Sequence, residues 1–274
     1  MLASKENAPK SIPVAPYLGG KIRLAKQICK IIDTHDHTTY AEPFVGMGGI
    51  FLRRTARPKA EVINDYGCDV SNLFRILQRH YPQFLEVLRF QITTRAEFNR
   101  LVDTDPNTLT DLERAARFLY LQRTAFGGKV SGKNFGVAKD RPARFNLIRL
   151  EPMLEDLHSR LSGVTIECLS YGDFIRRYDS ARTFFYLDPP YWGCEKDYGK
   201  EMFERDDFEA IAEIAASLQG SFMMSINDVP EIRAIFDAFQ IDEVETKYSV
   251  AKQGRLPARK ELLIRNFSGG AAKF

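Results

Sequence analysis

Residues 184–192, Phe-Phe-Tyr-Leu-Asp-Pro-Pro-Tyr-Trp, constrain the fold more than any other stretch of the chain. Phe184, Phe185, Tyr186 and Leu187 form a short aromatic-rich apolar run, the pattern of a strand buried on both faces of a sheet. Pro189 and Pro190 have no amide hydrogen to give to a ladder, so the strand ends before them. The chain is left with a carboxylate, two stiff residues with uncommitted carbonyls and an aromatic ring at the carboxyl edge of a sheet, where open α/β sheets bind ligands. Asp188 can accept one hydrogen from an amine, the Pro189 carbonyl a second, and the Tyr191 ring can stack on a flat heterocycle. The group that fits is an amino-substituted base.

The first third of the chain reads as the opening of a nucleotide-binding βαβ unit. Tyr17-Leu18-Gly19-Gly20-Lys21 precedes an amphipathic helix carrying Ile22, Leu24, Ala25, Ile28, Ile31 and Ile32. A strand is expected over 38–41. The glycine loop Glu42-Pro43-Phe44-Val45-Gly46-Met47-Gly48-Gly49 follows, then a helix over 50–55. The next strand, 61–65, ends in Asp65 about 20 residues after Gly46, the spacing of a carboxylate on ribose hydroxyls. The loop and the acid together point to an adenosine-containing cofactor; by themselves they serve NAD, a flavin or S-adenosylmethionine.

Helical patterns continue over 70–78 and 81–123, where Leu112, Ala115, Ala116, Leu119 and Tyr120 form a core-facing stripe. Residues 124–136 are glycine-rich and weak in helix formers, as a loop or β-hairpin is. Arg123, Lys129, Lys133, Lys139, Arg141 and Arg144 concentrate positive charge here against the single acid Asp140. Interleaved with Phe126, Phe135, Phe145 and Asn134, they suit a segment that holds phosphates and probes base edges. A helix over 147–161 and a strand over 164–168 lead to Gly172-Asp173-Phe174, where Asp173 on its own reads as a helix cap. Beyond Trp192, a polar stretch 193–204 is expected as a mobile or DNA-facing loop. It precedes a helix (207–218), a buried strand (222–226), a further helix and a closing antiparallel pair (241–250 and 261–267) around a basic loop, 252–260.

Three of these motifs carry a resemblance. Asp188-Pro189-Pro190-Tyr191 looks like the Asp-Pro-Pro-Tyr motif of amino-methyltransferases that modify the exocyclic nitrogen of a nucleobase. Glu42 to Gly48 resembles the Glu-Pro-Phe-x-Gly-x-Gly stretch of Dam-type (D12 class) DNA adenine-N6 methyltransferases, and Tyr17 to Lys21 their aromatic-x-Gly-x-Lys element, which usually begins with Trp. The resemblance spans residues 17 to about 230. It implies an α/β, Rossmann-like S-adenosylmethionine-dependent methyltransferase sheet with an inserted, mainly helical target-recognition region carrying a β-hairpin. The catalytic domain is then 11–80 and 162–267, and the insertion 81–161.

In that family S-adenosylmethionine is the cofactor and double-stranded DNA the substrate. Asp188, Pro189, Pro190 and Tyr191 are implied to be catalytic, with base flipping bringing the adenine to them. Tyr17, Lys21, Glu42, Phe44, Gly46, Gly48, Asp65 and Asp188 are implied to hold the cofactor, Asp173 taking its adenine amino hydrogen and Phe174 packing on the ring. Methylation of cytosine N4 or of RNA, or a catalytically inactive DNA-binding protein, are the alternatives. A cytosine-C5 enzyme needs a thiol nucleophile, typically after a proline, and Cys194 follows Gly193.

Composition narrows the remaining classes. With 44% hydrophobic and 27% charged residues, the 274-residue chain has an ordinary globular make-up, and a net charge of +3 permits a polyanion partner without demanding one. No apolar run approaches the ~20 residues that span a bilayer, and the polar first ten residues lack the apolar core of a signal peptide. A cytoplasmic location in a bacterial or phage-infected cell and a monomer or weak dimer are expected. Cys29, Cys68, Cys168 and Cys194 are scattered without metal or dithiol spacing and are expected as reduced thiols. His35 and His37 flank Asp36 in what reads as a solvated turn, with no metal expected.

Overall fold

The computed structural model describes residues 6–17, 19–128, 132–137, 140, 142–195, 202–246 and 259–268. Strand β2 (Thr39–Glu42) lies mid-sheet with β4 (Ala60–Asn64) and β6 (Thr183–Leu187) parallel on either side. Strand β5 (Thr165–Glu167) extends the sheet beyond β4, and β7 (Ser221–Asn227) beyond β6, again in parallel. Strands β8 (Gln240–Thr246) and β9 (Arg259–Arg265) close that side antiparallel, β9 lying between β7 and β8. A two-stranded antiparallel ribbon, β1 (Glu6–Asn7) with β3 (Ala56–Arg57), stands apart. Since the chain leaves β2 toward β4 on one side and returns through β6 on the other, the crevice between their carboxyl ends is a topological switch point.

Alternation along the strands divides the core in two. Tyr40, Ile63, Phe184, Tyr186 and Met223 face one apolar cluster, and Ala41, Val62, Phe185, Leu187, Phe222 and Met224 face the other. The first face is covered by α1 (Ala25–Thr34) and α2 (Asp69–Arg79). The inserted helices share it: α3 (Tyr81–Leu88), α4 (Arg95–Asp103), α5 (Asp111–Thr124) and α6 (Leu147–Leu161). Thr94 caps α4, and Thr110 with Glu113 forms a capping box on α5, so short polar segments punctuate the long helical pattern of 81–123. The second face is covered by α7 (Tyr171–Tyr178), α8 (Asp206–Ser217) and α9 (Pro230–Ile235).

Glu61 of β4 anchors a buried charge cluster beneath the first face. Arg54 Nη1 donates to its Oε1 at 3.0 Å, Arg160 from α6 donates to both oxygens at 2.6 and 2.7 Å, and Arg57 Nε lies 3.1 Å from Oε2. The side chains of Glu61, Arg54 and Arg160 have no solvent exposure. Arg54 also stacks 3.8 Å from the Tyr40 ring centroid.

Several expectations are corrected. The helix anticipated over 50–55 is a single 3-10 turn, Phe51–Arg53, because Arg54 adopts an extended backbone that delivers its guanidinium to Glu61. Where a loop or β-hairpin is expected, an isolated antiparallel bridge joins Ala125 and Phe135 among the described residues, supported by Phe126 N–H to Asn134 O and Gly136 N–H to Thr124 O, both 2.8 Å. The turn at His35 and His37 is packed rather than solvated. His37 is 1% exposed, and both rings meet Phe184 edge-on or tilted at 5.1 and 5.5 Å. Cys68 and Cys168, expected as free thiols, form a disulfide with Cα atoms 5.6 Å apart. They are 100 residues apart in sequence, and only the pairing of β4 with β5 brings the segments after those strands together. Of the basic loop 252–260, residues 252–258 lie outside the described residues, as do 196–201 of the polar stretch after Trp192.

Candidate active site

The carboxyl ends of β2, β4 and β6 open into one cavity of about 930 Å³. Glu42, the turn after it, Asp65 and Asp188 all border it, together with the segment 12–17, Ser170, Tyr171 and Asp207. The glycine turn is tied to β4 by Val45 N–H to Asn64 O at 2.9 Å. Gly46 takes φ +48° beside the Tyr17 ring, where a Cβ would stand 2.9 Å from a ring carbon. The turn thus presents backbone to the cavity. Asp65 accepts the Gly46 N–H at 3.2 Å and the Gly67 N–H at 3.1 Å. Burial nevertheless pushes its carboxyl up to about 6, against the pull of those two amides. Phe44 and Tyr171 lie 5.6 Å apart, tilted by 31°, and Tyr171 donates to Asp207 Oδ1 at 2.7 Å.

Three polar groups stand together on the α1 face of adjacent strands because they share the parity of Tyr40, Tyr186 and Met223: Glu42, Asp188 and Ser225. Asp188 is one-fifth exposed; its Oδ1 lies 2.6 Å from Lys21 Nζ and accepts from Ser225 Oγ at 3.2 Å. Burial raises the Asp188 carboxyl, while Lys21 and the Ser225 hydroxyl hold it down. The Lys21 ammonium is itself 4% exposed, donates to Gly19 O at 3.3 Å and lies 4.4 Å from the Tyr191 ring centroid.

Glu42 is 1% exposed and accepts from Tyr40 Oη at 2.6 Å. Burial, reinforced by the Asp188 charge, pushes its carboxyl up to about 8, so it folds protonated at neutral pH. A raised folded-state value means that this group favours folding below its ordinary range near 4.5, and that the contribution fades as pH rises toward 8. Glu42→Gln keeps the neutral shape, and its urea midpoint should therefore fall less than that of the parent between pH 5 and pH 9. Parallel pH dependences in the two proteins would contradict this account.

Over residues 17–250 the sequence matches the D12 class N6 adenine-specific DNA methyltransferases. The chain belongs to that family. It is a DNA methyltransferase, and the expected Rossmann-like methyltransferase sheet is the fold it has. Among relatives, it is 28% identical over 276 residues to the type II methyltransferase M1.LlaDCHI of Lactococcus lactis subsp. cremoris, covering 93% of this chain and 95% of that one. It is 27% identical to the type II methyltransferase M.MjaIII of Methanocaldococcus jannaschii, covering 93% and 99%, and 23% identical to M.CviBI of Paramecium bursaria Chlorella virus NC1A, covering 86% and 90%. Among the described residues no helix is long and apolar enough to cross a membrane, and no group of three or more His, Cys, Asp or Glu is placed to hold a metal.

Within this D12 methyltransferase, Tyr17, Lys21, Glu42, Phe44, Gly46, Asp65, Asp188 and Pro190 all border the cavity. Gly48, at φ +76°, shapes the turn from behind, where a Cβ would strike Leu52 at 2.8 Å. Asp173 and Phe174 are not brought to the cavity. Asp173 accepts from Ser170 Oγ and pairs with Arg176 in the first turn of α7, whose N-cap is Ser170 and not Asp173, and Phe174 is wholly buried against the second face. Ser170 and Tyr171 take the cavity positions instead.

The recognition candidates divide between inward-turned and exposed positions. Arg123 is turned inward, donating to Val14 O and to Arg144 O, and Arg144 donates to Ala125 O at 3.0 Å. Both arginines brace backbone. Lys133 lies 5.5 Å from the Phe118 ring, and burial lowers its ammonium to about 8 against the attraction of Asp69. Asn134 is exposed, whereas Lys129, Lys139 and Arg141 lie outside the described residues. The sequence reading missed Ser225 and Asn227. Asn227 accepts from Trp192 N at 2.9 Å and donates to Trp192 O at 3.2 Å, fixing the chain just past the proline pair. Their signal was present: two polar residues ending an otherwise apolar strand next to β6.

Proposed function

We propose that this enzyme transfers a methyl group from S-adenosylmethionine to N6 of an adenine flipped out of duplex DNA at a specific sequence. The observation that carries the reading is that Asp188 and the 46–49 turn border the same cavity, with Asp65 and a pair of aromatic rings beyond. The residues fit the donor. A half-buried carboxylate whose described hydrogen bonds are to backbone amides suits ribose hydroxyls, and the close approach at Gly46 leaves room for a ligand against backbone. The name type II methyltransferase, borne by the relatives, supports action at defined sites.

When bound, S-adenosylmethionine supplies an electrophilic methyl on a sulfonium. The chain's own residues address the other partner, an exocyclic amine made poorly nucleophilic by delocalisation of its lone pair into the ring. Asp188 and the Pro189 carbonyl accept its two hydrogens and favour a pyramidal nitrogen whose lone pair faces the methyl; positioning and fixed dipoles then supply most of the acceleration. Asp188 and the Tyr191 ring both flank the Lys21 ammonium, which supports their acting together on one ligand group. Because N6 is buried in the stack, the base has to be extruded first.

Incubation with labelled S-adenosylmethionine and either DNA or RNA, followed by nucleoside digestion, should give N6-methyladenine from DNA alone. Label in cytosine or only in RNA would remove the reading. Gly46→Ala forces a side chain into left-handed backbone and against Tyr17, a cost of about 1–3 kcal/mol. S-adenosylhomocysteine titrated by calorimetry should accordingly bind it about tenfold more weakly or worse.

A further inference from the structure

Ser225 interrupts the run Phe222-Met223-Met224-Ser225-Ile226 and is wholly buried. An unpaired hydroxyl at such a place costs about 1–3 kcal/mol, so its partners define its role. They are Tyr186 Oη at 2.7 Å and Asp188 Oδ1 at 3.2 Å. Proton counting fixes the direction of both bonds. A carboxylate only accepts, so the Ser225 proton goes to Asp188 and Tyr186 has to donate to Ser225. The result is a one-way chain from phenol to hydroxyl to carboxylate in which each bond polarises the next. Tyr186 stays protonated, since burial and the Asp188 charge hold its phenol well above the usual range.

Lys21 and Ser225 both approach Oδ1 of Asp188. Oδ2 is the oxygen they leave for a further donor. We propose that Ser225, itself held by Tyr186, is a positioning residue for methyl transfer: it fixes the Asp188 carboxylate so that Oδ2 meets the target amine. This inference rests on Asp188 being the acceptor of that amine. Ser225 does not border the cavity and acts only through Asp188. The titratable or charged groups facing Asp188 are Lys21 from the segment before α1, Glu42 from β2, Tyr186 from β6 and Tyr191 beyond the prolines. Ser225, with Lys21, is a donor that favours the charged carboxylate.

The test compares Ser225→Ala, Ser225→Thr, Tyr186→Phe/Ser225→Ala and Asp188→Ala on unmethylated duplex DNA with tritiated S-adenosylmethionine. In Ser225→Ala, kcat should fall roughly 10- to 100-fold with KM for the donor within about twofold. The acidic limb of its kcat profile should move upward by about one pH unit, because a donor to the charged form has gone. Ser225→Thr, which keeps the hydroxyl, should recover most of the rate. The double variant removes both hydroxyls and leaves no orphan, so its Tm should recover relative to Ser225→Ala while kcat stays low. Parental kcat and an unmoved acidic limb in Ser225→Ala would overturn the inference, as would kcat recovering together with Tm in the double variant. If Asp188→Ala stays active, the underlying assignment fails; if it is inactive while Ser225→Ala is normal, only this inference does.

Discussion

Asp188→Ala should lose about 10³-fold or more in methyl transfer to DNA while S-adenosylhomocysteine still binds measurably. The size follows from the role proposed for the carboxylate: orienting the reacting nitrogen and opposing the positive charge that develops there are two effects that each reach several kcal/mol in a partly dry site. The cofactor side survives because the 46–49 turn, Asp65 and Tyr171 reach the cavity from β2, β4 and α7, not from β6. Asp188→Asn is the sharper variant. It keeps the shape but offers an amide in place of half the acceptor, and it leaves Lys21 without its ion pair. Rates measured with saturating DNA and donor separate the chemical step from binding. Near-normal turnover in either variant would exclude the amine-acceptor role.

Glu61→Ala should be the most destabilising single change in the chain, by about 3–5 kcal/mol, because it strands charge where water does not reach. Arg54 and Arg160 have no exposed side-chain surface; Glu61 is the carboxylate they share, and Arg54 has a second, Asp33, at 3.5 Å. Removing one member of a buried cluster costs far more than replacing the whole cluster with packed apolar residues, so Glu61→Met combined with Arg54→Met and Arg160→Leu should recover much of the loss. Urea unfolding read by circular dichroism measures both. A loss below about 1 kcal/mol for Glu61→Ala would mean that the arginines find other acceptors. The damage should also reach the site: Arg54 stacks on Tyr40, and Tyr40 holds Glu42 at the cavity wall.

The catalytic edge was legible because its signal is local. The apolar run before Asp188 and the prolines after it dictate a strand that stops, and the glycines and Asp65 mark the neighbouring strands by spacing. What escaped the sequence depends on which strands become neighbours. Ser225 gains its meaning only when β7 pairs with β6, and Cys68 meets Cys168 only because β5 lies beside β4. The basic region shows a second reason. Charge density suggested phosphate contacts; Arg123 and Arg144 also donate to backbone carbonyls, a demand no count of lysines and arginines can register.

Helix α2 belongs to both halves of the molecule: it follows β4 and Asp65, and its inner face is also the surface on which α5 and α6 rest. One continuous apolar seam therefore runs from Phe51 through Phe74 to Leu119 and Leu154. Exchanging residues 81–161 between relatives would set foreign side chains against that seam. A graft that begins at Asp69 carries both sides of the joint together, and in this architecture the segment has to be transplanted along with the helix that seats it.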